Sequence, residues 1–159
     1  MTSREEESVY LPKLSIENRF DGCPPPVIEE DVYYFPRKKN FRSIDGYDMT
    51  AMYQCTIAET HSSDFSFKGV KNDVGQLVGD ELMSVLKGYQ NIIGMDTVRV
   101  YYVIPKYLED KFHLIKETIK DPGDDGLGMP RIERWVMVVD EKELTEQVAK
   151  SFSLKRSVD

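Results

Sequence analysis

The pattern of apolar and polar positions changes texture at Val32. Before it, residues 1–31 are polar, acid-rich toward both ends and proline-rich in the middle (Cys23-Pro24-Pro25-Pro26). Leu11, Leu14, Ile16 and Phe20 are the apolar positions able to pack against a body. The pattern predicts an N-terminal arm over 1–31 and a single domain over 32–159. Val32-Tyr33-Tyr34-Phe35 is a short β-prone run halted by Pro36, and residues 41–47 make a second, with Gly46 suited to a bend or a close backbone approach. Residues 51–59 alternate most clearly. Tyr53, Cys55 and Ile57 fall on one face, and Met52, Gln54, Thr56 and Ala58 on the other. Three short neighbouring strands predict a β-meander.

The period then lengthens. Val74, Leu77, Val78, Leu82, Val85 and Tyr89 follow a 3.6-residue spacing, predicting a helix over 72–89 that frays at Gly88. Residues 97–104 (TVRVYYVI) read as a buried strand ended by Pro105. Leu108, Phe112, Ile115 and Ile119 predict a second helical stripe, and residues 121–130 (DPGDDGLGMP) a breaker-rich loop. Residues 132–139 read as another buried strand. Asp140 with Glu143 is a capping start for a last helix carrying Leu144, Val148 and Phe152. The expected fold is α/β, an α+β mixed sheet: a β-meander followed by α-β-α-β-α.

Composition narrows the class. At 159 residues, with 40% hydrophobic and 31% charged positions, the chain has the length and balance of one globular domain. A net charge of −7 means that nucleic acid would have to be met by a local basic patch, not by the surface as a whole. Cys23 and Cys55 lack metal-ligand spacing and read as reduced thiols. No apolar run approaches membrane-spanning length and the start, MTSREEES, is acidic, so the expectation is an intracellular protein or a domain of a longer chain, without a membrane.

Candidate chemistry concentrates between Pro36 and His61. Asp45 precedes a segment in which Gln54 and Thr56, two apart, share a strand face. A carboxylate on one strand and oxygen donors on the next can gather around a hard divalent cation, Mg²⁺ or Mn²⁺. Phosphodiester cleavage also calls for a cation to steady developing phosphoryl charge. Lys68 and Lys71, at the start of the following helix, and His61, just beyond the strand, are the candidates for that role. Arg37-Lys38-Lys39 with Arg42 is the dense positive run; it is either a phosphate contact for DNA or a solvated turn, also readable as a nuclear-localisation-like stretch. No GxxxxGK[ST] loop occurs, so nucleotide hydrolysis has no phosphate loop here. Asp121, Asp124 and Asp125 fit no standard Ca²⁺ loop. His113 reads as a surface or packing residue, and Tyr101, Tyr102 and Trp135 as core.

Tyr34-x-Pro36, Asn40-Phe41, Ile44-Asp45, Tyr53-Gln54-x-Thr56 and His61 together resemble the nuclease-type domain that follows the NTPase in Crinkler effectors and retrotransposon hot spot proteins. That domain is a divergent branch of the PD-(D/E)XK, restriction-endonuclease-like superfamily. Val100-Tyr101-Tyr102-Val103-Ile104-Pro105 and Trp135-Val136-Met137-Val138 extend the likeness to roughly residues 32–140. The resemblance implies a restriction-endonuclease-like core, DNA as substrate, and an NTPase domain in a longer parent protein. It gives Asp45 the metal-binding aspartate position and Gln54 the second acid's position. Glu29 or Glu30 would be the upstream glutamate. Thr56 falls on the lysine's position and departs from the pattern. Three readings therefore stand: a Mg²⁺-dependent DNA endonuclease; an inactive module on the same fold that binds nucleic acid, or a protein partner through its acidic surface; and an unrelated α/β protein whose hairpin only mimics the motif.

Overall fold

In the computed structural model the described residues are 16–20, 24–25, 27–30, 32–37, 41, 43–66, 70–71, 73–74, 77–78, 81–122, 128–140 and 142, with backbone alone at 16–20, 70–71 and 77–78. Elements run in the order β1 (Ile16–Phe20), β2 (Val32–Pro36), β3 (Gly46–Tyr47), β4 (Met52–Cys55), β5 (Thr60–His61), β6 (Val70–Lys71), β7 (Leu77–Val78), α1 (Glu81–Ile93), β8 (Thr97–Pro105), β9 (His113–Leu114) and β10 (Arg131–Val139). Six of the strands form one mixed sheet, ordered β1-β2-β3-β4-β8-β10. β2, β3 and β4 are the antiparallel meander read from the sequence. β4, β8 and β10 continue in parallel, and β1 joins β2 in parallel at the other edge. Part of the expected arm thus belongs to the sheet, and Ile28, also within 1–31, is buried in the core.

The sheet has one helix-covered face. Leu82, Val85, Leu86 and Tyr89 of α1 are buried with Val98, Val100 and Tyr102 of β8 and with Met52, Tyr34 and Tyr47. Tyr47 stacks on Tyr34 at 5.4 Å and meets the edge of Tyr89 at 5.3 Å, the offset and edge-on arrangements that aromatic quadrupoles favour. On the other face Ala51, Tyr53, Tyr101 and Met137 form a second cluster, with Tyr33 and Trp135 packed beside it. Both faces of β8 are apolar, which is why residues 97–104 lack alternation in the sequence.

Two helical expectations are corrected. The helix expected over 72–89 begins only at Glu81, and β6 and β7 pair antiparallel at 70–71 and 77–78. Asp73 and Val74 lie in the turn between them, and Gly75 and Gly79 in the sequence favour turning over helix propagation. The helix does not fray at Gly88, where a Cβ would lie 2.7 Å from Pro24 Cδ. It ends at Gly94 (φ +70°), the left-handed position that glycine fills without strain. The stripe Leu108–Ile119 is not an α-helix either: residues 106–120 hold two 3₁₀ turns and the short β9. Their amides are taken by a neighbouring segment instead, His113 N by Glu59 O (3.0 Å), Ile115 N by His61 O (2.9 Å) and Lys120 N by Ser63 O (3.1 Å). Tertiary pairing overrides an apolar spacing carried partly by β-branched Ile115 and Ile119. The last expected helix falls outside the described residues, apart from Lys142.

The consequence is a second, small layer. The return from β4 to β8 starts with residues 58–66, and the return from β8 to β10 includes residues 113–121. These two stretches lie side by side through the parallel β5–β9 pair and an isolated bridge between Asp64 and Lys120.

Candidate functional site

The β3–β4 hairpin is set by a turn at 48–51. Asp48, buried in spite of its charge, accepts the amides of Thr50 (2.8 Å) and Ala51 (3.0 Å) and the hydroxyl of Tyr53 (2.8 Å). Tyr89 of α1 donates to the Asp48 carbonyl at 2.9 Å, tying the turn to the helix. Burial, followed by the Asp48 charge, holds both phenols well above the usual tyrosine range. Close approach at Gly46 completes the hairpin: a Cβ there would sit 2.6 Å from the Tyr34 carbonyl and overlap the Tyr33 ring.

From that turn the register is Tyr47↔Met52 and Gly46↔Tyr53. Asp45 N donates to Tyr53 O at 2.7 Å, and Asp45 Oδ2 accepts the Cys55 amide at 2.6 Å. Asp45 Oδ1 has no partner among the described residues. The Gln54 amide group makes one long bond, Nε2 to Cys55 O at 3.4 Å, leaving Oε1 open. The thiol of Cys55 is pushed up by burial and by the Asp45 charge.

Asp45 and Gln54 line an open cleft of about 500 Å³ with His61. The sequence reading had named all three. The paired return segments, which carry His61, also bring Asp64, Glu117, Thr118 and Lys120 to the lining, together with Phe41 and Ser43. Ser43 stands at φ 70°, a left-handed conformation that costs a non-glycine residue energy, and its hydroxyl donates to the Asp64 carbonyl at 2.6 Å. His61 Nδ1 lies 2.6 Å from the Ser62 carbonyl. A carbonyl can only accept, so in this pairing Nδ1 carries the hydrogen and Nε2 keeps a lone pair.

Arg134 of β10 staples the return segments. Its side chain is largely buried; Nε donates to Ser63 Oγ (2.5 Å), Nη2 to Lys120 O (2.9 Å) and Nη1 to Asp121 Oδ1 (2.6 Å). Ser63 Oγ also shares a short hydrogen bond with the buried Tyr102 hydroxyl. Burial raises the Tyr102 phenol, opposed by that bond and by the Arg134 charge.

The remaining sequence candidates do not meet here. Thr56 does not line the cleft; its amide donates to Val103 O (3.0 Å) and its hydroxyl accepts from Ala58 N (3.1 Å). Glu30 and Arg37 are exposed and away from it. Lys38, Lys39, Arg42 and Lys68 lie outside the described residues, as does the side chain of Lys71. Asp64, Glu117 and Lys120 were not found from the sequence, since no motif or period marks them. As donors for a metal, Asp45 Oδ1 and Gln54 Oε1 are chemically suitable oxygens. Among the described residues, no three His, Cys, Asp or Glu side chains converge to hold an ion by themselves. Comparison with protein-family models, with curated proteins and with solved structures gives no match to this chain, so the chemistry of the cleft has to speak for its role.

Proposed function

We propose that the cleft is a nuclease-type site that hydrolyses phosphodiester bonds of DNA with Mg²⁺ or Mn²⁺. The observation that carries the reading is the meeting of Asp45, Gln54 and His61 in one cleft. Its charge supports a cation as well. Asp45, Asp64 and Glu117 oppose Lys120 there, and a phosphate entering such an acidic cleft is repelled unless a divalent ion offsets the carboxylates. Asp45 Oδ1 and Gln54 Oε1 would hold the ion. The chemistry it supplies when bound is polarisation of phosphoryl oxygens and acidification of a coordinated water.

The chain's own groups have separate tasks. The Cys55 amide fixes the Asp45 carboxylate through Oδ2 and leaves Oδ1 without a partner among the described residues. His61, held by the Ser62 carbonyl, can take the attacking water's proton at Nε2.

The test is cleavage of plasmid and single-stranded DNA with Mg²⁺ or Mn²⁺ by the native chain and by Asp45→Asn and Asp45→Ala. The side-chain oxygen of the asparagine variant can still accept the Cys55 amide, so a loss of activity there would not reflect a disturbed hairpin. Metal-dependent nicking that falls by roughly 10²-fold or more in both variants is expected. Cleavage unaffected by Asp45→Asn refutes the assignment. The second reading, a disarmed binding module, is favoured by the turning of Thr56 to the Ala58 amide; it predicts salt-sensitive DNA binding without nicking.

A further inference from the structure

We propose that Lys120 supplies the positive charge that the hairpin lacks, binding a non-bridging phosphate oxygen of the DNA substrate. The assignment rests on the nuclease-type reading of the cleft. Thr56 has no charge to offer and points elsewhere. Lys120 is the one lysine among the described residues that line the cleft, which Asp45 and Gln54 line as well.

Its placement is built. Lys120 N donates to Ser63 O (3.1 Å), and Lys120 O accepts from both Phe65 N (2.9 Å) and Arg134 Nη2 (2.9 Å). Three backbone bonds therefore fix the root of the side chain, two of them to the segment that carries Ser63 and Asp64. The ammonium itself is exposed and has no ion pair among the described residues, so it is not committed to a structural partner. A flexible four-carbon stem ending in a compact charge suits an ammonium that must follow a phosphate into an open cleft. Lys116, exposed and one 3₁₀ turn earlier, does not line the cleft and serves as a matched control.

In the hydrolytic step the water oxygen bonds to phosphorus and the bond from phosphorus to one sugar oxygen breaks. The water's proton passes to His61 Nε2, and the departing sugar oxygen takes a proton from solvent. Phosphodiester and water become phosphomonoester and alcohol. Lys120 keeps its protons throughout and offsets the charge that gathers on the non-bridging oxygens.

The experiment measures single-turnover cleavage of labelled duplex DNA in Mg²⁺, and binding of the same DNA across a KCl series. It compares the native chain with Lys120→Ala, Lys120→Arg, Lys116→Ala and Asp45→Asn. Lys120→Ala should cleave roughly 10²–10³-fold more slowly. It should also lower the slope of log affinity against log salt by about 0.9, the loss of one phosphate contact. Lys120→Arg should recover most of the rate because the charge is kept, and Lys116→Ala should match the native chain. Unchanged melting temperatures are expected, since only backbone atoms of Lys120 are bonded. If Lys120→Ala cleaves and binds as the native chain does while Asp45→Asn is inactive, the lysine assignment fails and the nuclease reading stands. If the native chain binds but never cleaves, an unchanged salt slope in Lys120→Ala overturns the assignment and a slope reduced by one contact upholds the phosphate contact. A native chain that neither binds nor cleaves overturns both.

Discussion

Asp48 is the residue whose removal tests the account of the hairpin most directly. The residue is 5% exposed, and its carboxylate takes three hydrogen bonds, two from turn amides and one from the Tyr53 hydroxyl. Bonds to a charged acceptor contribute about 1.5–3 kcal/mol each, against which stands the cost of desolvating the carboxylate. Asp48→Ala removes the acceptor and leaves the buried Tyr53 hydroxyl and the Ala51 amide without it. The net loss should be about 3–5 kcal/mol, a large share of the ~5–15 kcal/mol that stabilises a domain. For a chain of this length that corresponds to a fall in Tm of roughly 10 °C. Asp48→Asn should cost less, about 1–2 kcal/mol, since its amide oxygen can still accept from the turn while its NH₂ group faces the Tyr53 oxygen.

The assay is urea unfolding followed by the fluorescence of Trp135, the single tryptophan. An Asp48→Ala variant within about 1 kcal/mol of the native chain would refute the reasoning. It would mean that the desolvation of the carboxylate cancels its bonds, and that the 48–51 turn is held by strand packing alone. A fall confined to the slope of the urea curve, with its midpoint kept, would point to a changed unfolded state rather than a weakened hairpin.

Three further outcomes are expected. Tyr53 and Tyr89 hold their protons above the usual tyrosine range, so the folded chain binds more protons than the unfolded one once pH exceeds about 10. Their contribution is whole below that pH and is lost as pH rises, at about 1.4 kcal/mol per unit for each phenol; urea midpoints that stay constant from about pH 9 to 11.5 would contradict this. Gly46→Ala should destabilise by roughly 1–3 kcal/mol through overlap with Tyr33 and the Tyr34 carbonyl, read by thermal melting. In a Cys23→Ser background, Asp45→Asn should speed alkylation of Cys55 by iodoacetamide at about pH 8, because it removes a negative charge that raises the thiol; an unchanged or slower rate would deny that coupling.

Legibility in the sequence followed the length over which a pattern could express itself. The strands at 97–105 and 131–139 are nine residues each and were read nearly to their ends, because each carries a run of apolar, β-prone residues; β8 is mostly buried as expected, whereas β10, at the sheet edge, is not, with Val136 and Val138 exposed. The closeness of Asp45 and Gln54 was also legible, since a hairpin brings neighbours in sequence together and the alternation of β4 marks its faces; His61 stands on the return segment a few residues beyond β4. Lys120, Asp64 and Glu117 were not. They reach the cleft through pairing between segments about fifty residues apart, and each paired element is two residues or a single bridge. Such contacts leave no period. The apolar spacing of Leu108, Phe112, Ile115 and Ile119 even pointed to a helix, because partial burial on an extended, turning segment can imitate a stripe. Asp48 was overlooked for a different reason: an acid between Tyr47 and Met49 reads as an exposed turn residue until Tyr53 and Tyr89 are seen to close over it.

The cleft therefore has two sides with different origins of order. Asp45 and Gln54 stand on a hairpin fixed by Asp48, Gly46 and the core beneath α1. His61, Asp64 and Lys120 stand on return segments fixed by Arg134, whose guanidinium reaches Ser63, Lys120 and Asp121 at once. The two anchors share no partner, and effects at independent sites add. Weakening the turn should disturb the metal-facing oxygens without moving the lysine, whereas weakening the staple should disturb the lysine and leave the hairpin in register. Arg134→Lys tests the second half of that division, since a lysine cannot reproduce the fork that joins three partners. If the staple acts as described, that variant loses DNA affinity while the Asp45-dependent slowing of Cys55 alkylation persists. Loss of both together would show that the two sides are ordered as one unit, and that the cleft is no more rigid than its weaker wall.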